Sequence, residues 1–158
     1  MTFLRHRLFR AARPVLGAAR AGDAPAIGAI LSGWIDETDW MVRIHRREDE
    51  ERFAADLVAR GWVTVARWRG EVVGFLARDG HEIVALYVAR EARGQGVGAA
   101  LLGRAKRRSP RLGLWTFQFN RAARAFYEAH GFVEVERTGG AGNDAKLPDI
   151  RYAWEGRS

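Results

Sequence analysis

The chain has 158 residues, 47% hydrophobic and 28% charged, a size and balance that fit one soluble globular domain with a core of its own. It has no cysteine, which excludes a disulfide framework, a thiolate zinc site and a cysteine nucleophile. The net charge of +7 comes almost wholly from arginine, Lys106 and Lys146 being the only lysines, and points to anionic ligands: nucleic acid, a membrane surface or a phosphorylated cofactor.

The four histidines, His6, His45, His81 and His130, are scattered without metal-ligand spacing, so no metal is expected. No apolar run approaches the ~20 residues of a membrane span. Arginines at positions 5, 7 and 10 interrupt any export-signal core, and the expected location is cytoplasmic. Residues 1–13 read as a basic, flexible leader and 14–158 as a single domain.

Along the chain, "PVLGAAR" suits a first strand. Asp23 is placed to cap a helix that has Pro25 in its first turn and an apolar stripe of Ile27, Ile30 and Leu31, ending near Ser32-Gly33. "REDEERFAADLVARG" reads as a second helix, with acidic residues in its first turn, Phe53, Leu57 and Val58 inward, and Gly61 as the stop. The period then changes to two: "WVTVARW" and "EVVGFLA" flank a hairpin turn at Arg69-Gly70. "HEIVALYV" has little polar alternation after Glu82 and reads as a central strand buried on both faces.

After a glycine stretch, Val97, Leu101, Leu102 and Ala105 form a helical stripe. "LGLWTF" is a further strand, "RAARAFYEAHG" a helix closed by Gly131, and "FVEVER" and "DIRYAW" two final strands. The order βααβββαβαββ predicts an α/β fold: a mixed, mostly antiparallel sheet of six to seven strands flanked by four helices.

The stretch "REARGQGVGAA" fits no P-loop, because Gly98 is followed by Ala99-Ala100 rather than lysine and a hydroxyl residue. It fits a dinucleotide fingerprint poorly, since the glycines alternate at 94, 96 and 98. Two readings stay open: backbone amides curled around an anion at a helix start, or a tight turn with glycines for packing. Downstream, Asn120 suits a helix N-cap and shares a helix side with Tyr127, so the two could line a groove. Tyr127 as a packing residue is the alternative.

"IVALYVAREARGQGVGAALL" followed by "NRAARAFYEAHGFVEVE" resembles the GNAT superfamily of acyl-CoA-dependent N-acyltransferases. Its cofactor motif is matched by Arg93, Gly96 and Gly98. Its second motif is matched by Asn120, Ala123, Phe126, Tyr127, Glu128, Gly131 and Phe132. The resemblance implies acetyl-CoA as co-substrate, held in a V-shaped cleft between two central strands. Its pyrophosphate would lie on the amides of Gly94, Gln95, Gly96, Val97, Gly98 and Ala99, with Arg93 just before them. Its pantetheine would pair with Leu86, Tyr87 and Val88, and Asn120 and Tyr127 would line the cofactor side.

The same resemblance implies direct attack by a primary amine in a ternary complex. The Val88 amide would serve as oxyanion donor, Tyr127 as the acid for the departing thiolate and Glu82 as the base, a water chain being the alternative. The acceptor, a small-molecule or peptide amine, would be met by "SGWIDETDWMVRIHRRE", where Trp34 and Trp40 flank Asp36, Glu37 and Asp39. The other readings are a CoA-binding sensor or partner module, and an arginine-rich nucleic-acid-binding domain. Nucleic acid is not the expected partner, and a homodimer is left open.

Overall fold

The computed structural model describes residues 13–157, so the basic leader lies outside the described residues except for Arg13. Its elements are β1 (Val15–Ala18), α1 (Ala24–Glu37), α2 (Arg47–Ala59), β2 (Val63–Trp68), β3 (Glu71–Asp79), β4 (Glu82–Val88), α3 (Val97–Arg108), β5 (Arg111–Phe117), α4 (Arg121–Ala129), β6 (Val133–Thr138) and β7 (Asp149–Glu155). This is the order that the periodicity predicts. The strands form one seven-stranded sheet in the order β1-β2-β3-β4-β5-β7-β6. Every pairing is antiparallel except β4 with β5.

Alternation along the strands divides the core into two layers. Val65 and Phe75 join Ile27, Ala54 and Leu57 under α1 and α2. Their neighbours Ala66 and Leu76 join Val97, Leu101, Leu102 and Phe132 under α3 and α4. The β2–β3 hairpin turns on Arg69 and Gly70, both at positive φ (49° and 81°), the two-residue turn whose twist matches paired strands. Gly74 lets α3 lie close to the sheet, since a Cβ there would stand 3.0 Å from Val97 Cγ1.

Four local expectations need correction. Asp23 does not cap α1 with its side chain; its carboxylate accepts from Arg67 Nη2 at 2.6 Å and from the Arg20 amide at 2.8 Å. The carboxylate is thus turned to Arg67 and to an amide ahead of the helix rather than to the first amides of α1. Helix α1 continues past Ser32-Gly33 to Glu37, because Ser32 is buried and the added turn lays Trp34 against Tyr87, ring centroids 5.2 Å apart. Phe53 is 44% exposed, and Ala54 takes the inward position beside Leu57.

The fourth correction positions the site. β4 is central but not buried throughout, because β5 leaves it almost at once. Their ladder has a single pair, Glu82 with Gly113, and the Gly113 amide donates to His81 O at 2.8 Å. On the other side β3 and β4 skip Val84, pairing Ala77 with Ala85 and Arg78 with Ile83. Such a bulge bends the strand and adds twist. Beyond it, Leu86, Tyr87 and Val88 are half-buried along an open V between β4 and β5.

Candidate active site

The site begins with a strand that has lost its neighbour. Ala89 N donates to Val73 O at 2.8 Å, and Gly74 stands opposite Val88. In an antiparallel ladder hydrogen-bonded and non-bonded pairs alternate, so Val88 and Leu86 turn their amides and carbonyls away from β3. They face the seam that β5 has vacated. Arg93 Nε donates back to Val88 O at 2.9 Å, which ties the strand end to the following turn.

That turn carries the glycines. Gly94 and Gly96 have φ of 72° and 87°, and a Cβ on either would meet nothing within 4 Å. They are therefore required for backbone direction rather than for packing. The first backbone bond of α3 runs from Ala100 N to Gly96 O, 3.0 Å, and the amides of residues 94–99 have no acceptor among the described residues. Those free N–H groups lie at the positive end of the helix dipole. Gly98 is ordinary helix, with its Cα against Phe126.

A groove of about 480 Å³ runs from this turn along β4 to α4. Of the residues expected to hold a cofactor, Leu86, Tyr87, Val88, Arg93, Gly94, Gly96, Val97, Gly98, Ala99, Asn120 and Tyr127 all line it, and no lining residue is acidic. Gln95 does not; its side-chain amide donates to Glu91 O at 3.1 Å. Free amides, a helix N-terminus and no carboxylate fit a diphosphate, and the apolar wall of Leu86, Val97 and Phe126 fits an extended arm. The residues present thus suit acetyl-CoA. Among the described residues, no group of three or more His, Asp and Glu could hold a metal ion, and no helix is long and apolar enough to cross a membrane.

Asn120 caps α4, its Oδ1 accepting from Ala123 N at 3.1 Å, and it also lines the groove. Tyr127 is both core and lining: it is 7% exposed and packs edge-on against Phe126 and Phe132. Burial, and secondarily the neighbouring Tyr87, pushes the Tyr127 hydroxyl well above the ordinary tyrosine value. Burial alone pushes Tyr87 up to about 12. Both hydroxyls stay protonated at neutral pH.

Of the expected acceptor residues, Trp34, Glu37 and Trp40 line one open pocket that adjoins the groove at Arg93 and Asn120, and Asp36 and Asp39 lie outside it. Trp34 borders the groove, and Trp40 packs edge-on to it and to Phe117. Glu37 contacts Arg93 Nη1 at 2.5 Å and braces the glycine turn. Asp36 is bound by Arg43 at 2.5 Å and Arg47 at 2.6 Å, so it fixes the loop after α1. Asp39 is exposed and does not line the groove. Glu82 is not brought to the groove either: it starts β4, about 20 Å of extended strand from Val88. Its carboxylate pairs with Arg151 Nη1 at 2.6 Å.

Sequence reasoning missed a second, smaller chamber of about 130 Å³ on the β5 side of the seam. Trp34, Tyr87 and Asn120 border both spaces, while Trp115, Thr116, Phe117, Asn143 and Asp149 belong to the chamber alone. Only strand register brings Asp149 opposite Phe117, and no local spacing signals it.

A mixed sheet split at its centre, with a glycine turn at the strand end and a buried tyrosine lining the same groove, is a distinct class of fold and site. Known proteins give that class a family. Residues 59–134 match the model of the acetyltransferase (GNAT) domain. The chain is 30% identical to the peptidyl-lysine N-acetyltransferase YiaC of Escherichia coli (strain K12) over 126 residues, 74% of this chain and 84% of YiaC. Among solved structures, apo-form YjaB from Escherichia coli superposes with a TM-score of 0.77 at 24% identity, covering 92% of this chain and 100% of YjaB. The structure of yncA from Salmonella typhimurium with its cofactor acetyl-CoA gives 0.71 at 18% identity, covering 93% and 96%. The chain belongs to the GNAT family of acetyltransferases and is an enzyme of that class.

Proposed function

We propose that the protein moves an acetyl group from acetyl-CoA to a primary amine on a peptide. The lysine side chain is the acceptor class that the likeness to YiaC supports. The observation that carries this reading is the open seam, where Gly94 and residues 96–99 with their free amides, the outward backbone of Leu86 and Val88 and the Tyr127 ring share one groove. Acetyl-CoA would supply the activated acyl group as a thioester. The cradle amides would hold its diphosphate, and the backbone of Leu86 and Val88 would bond its amide-bearing arm as an added strand.

The chain's residues then have three tasks. The Val88 N–H faces the seam, where it donates to the carbonyl oxygen as that oxygen gains negative charge. The Tyr127 hydroxyl, kept protonated by its burial, gives a proton to the departing sulfur. The acceptor amine, with an ordinary pKa of ~10.4, must shed a proton before it attacks. Glu82, paired with Arg151 at the far end of β4, is not placed for that task, and solvent on the open side of the seam takes the proton.

The test is a thermal shift with acetyl-CoA followed by thiol release with a panel of amines. A stabilising shift and thiol release with lysine-containing peptides are expected. A shift without turnover on any amine would replace this reading by that of a CoA-binding module. No shift at saturating acetyl-CoA would overturn both.

A further inference from the structure

The chamber on the β5 side has features that the donor groove lacks. Asp149 lines it and is 8% exposed. Its carboxylate is held by two neutral donors, the Thr138 hydroxyl and Asn143 Nδ2, the latter at 3.0 Å. It forms no ion pair with any described residue, in a chain carrying a net +7. The nearest candidate on its own strand, Arg151, is drawn away to Glu82 at 2.6 Å and packs over the Trp115 ring at 5.7 Å. A nearly buried carboxylate with hydrogen bonds but no counter-charge favours a cation from outside.

The walls select its shape. Trp34, Tyr87 and Phe117 give aromatic walls, a residue type that attracts ammonium groups, while Arg151 already packs over Trp115. At about 130 Å³ the chamber is much the smaller of the two spaces and has room for a slim alkyl arm. The chamber meets the donor groove at Trp34, Tyr87 and Asn120, so an arm lying in it ends beside the seam.

We infer that Asp149, oriented by Thr138 and Asn143, is the specificity-determining carboxylate that draws the acceptor's alkylammonium arm into this chamber. The inference rests on the proposed acetyl transfer to an amine and adds which residue reads the charge on the acceptor.

The test uses the full chain with Nα-acetyl-lysine N-methylamide as acceptor and its norleucine counterpart, uncharged and of similar shape, as competitive ligand. In Asp149→Asn, KM for the lysine probe rises at least tenfold, while kcat, KM for acetyl-CoA and the inhibition constant of the norleucine probe stay within about threefold. If Asp149 only braces the β6–β7 loop, both probes weaken together, and that outcome overturns the inference. An unchanged KM overturns it too, as does a wild type that acetylates other amines but not this one. Thr116→Lys, which leaves the Asp149 network in place and tethers a cation in the chamber, supplies a second variant should Asp149→Asn not fold. It raises KM for the lysine probe and spares acetyl-CoA binding; an unchanged KM there also counts against the inference. Absence of acetyl-CoA binding in the wild type would instead remove the underlying transfer reading.

Discussion

At the scale of single residues, Tyr127 shows how one side chain can belong to both core and site. Its ring packs against Phe126 and Phe132, while its edge faces the groove. Tyr127→Phe keeps that packing and removes only the hydroxyl. Because a thiolate is a fair leaving group, with an ordinary pKa of ~8.5, the loss of its acid should be partial. We expect kcat to fall about 10- to 100-fold, at or below the low end for a general acid, with acetyl-CoA binding retained. The sign of its pH dependence follows from burial. A hydroxyl whose pKa is raised in the folded state stays neutral below its unfolded value of 10.0, and that contribution to stability is lost only as pH rises through the folded value. Wild-type kcat should therefore show no loss from tyrosine ionisation below about pH 10. Steady-state rates across pH check both points, and a Tyr127→Phe variant equal to wild type throughout would remove the residue from the reaction. That Tyr127 borders the groove was legible from its motif. Asp149 was not, because its neighbours Asn143 and Thr138 meet it through a loop and a strand pairing that one sequence does not display.

At the scale of elements, the proposed donor site lies where β4 ends and α3 begins. The glycine stretch alone was compatible with a packing turn, and only backbone angles separate that from a cradle. Gly94 and Gly96 stand in the left-handed region with open space around their Cα atoms, so no packing requirement keeps them glycine. Gly96→Ala therefore tests backbone direction with no steric clash. The left-handed conformation costs an L-residue about 1–2 kcal/mol. Retaining it lowers the unliganded melting temperature by a few degrees; relaxing it turns the amides out of the cradle. Calorimetric titration of acetyl-CoA should show affinity weaker by about tenfold, roughly 1.4 kcal/mol, from the relaxed population. Unaltered affinity would mean that these amides do not carry the diphosphate. The period-two and period-3.6 patterns located every strand and helix in this region. They could not show that β5 diverges after one pair with β4, since neither that register nor the bulge at Val84 has a local sequence signal.

At the scale of the whole molecule, the proposed donor and acceptor sites differ in the charge that lines them. The order βααβββαβαββ and the two-layer core were readable because alternating strands such as "VTVARW" and "EVVGFLA" divide their side chains between two helical layers. The net charge of +7 was equally plain, but its consequence depends on where the carboxylates sit. The donor groove has none, whereas the acceptor chamber has Asp149. A positive molecule steers an anionic donor inward at long range, and salt screens that steering as the Debye length shrinks from about 10 Å at 0.1 M to about 3 Å at 1 M. It repels a cationic acceptor at the same range, and the acceptor is favoured only within the chamber, where a nearly buried carboxylate is screened much less. Raising salt should therefore lower kcat/KM for acetyl-CoA several-fold while leaving that for a lysine-type acceptor unchanged or higher. Steady-state kinetics with each substrate varied in turn, from low to high salt, measure the two slopes. Two slopes of the same negative sign would mean that both substrates meet one uniform field, and the division of charge between groove and chamber would then not govern how they arrive.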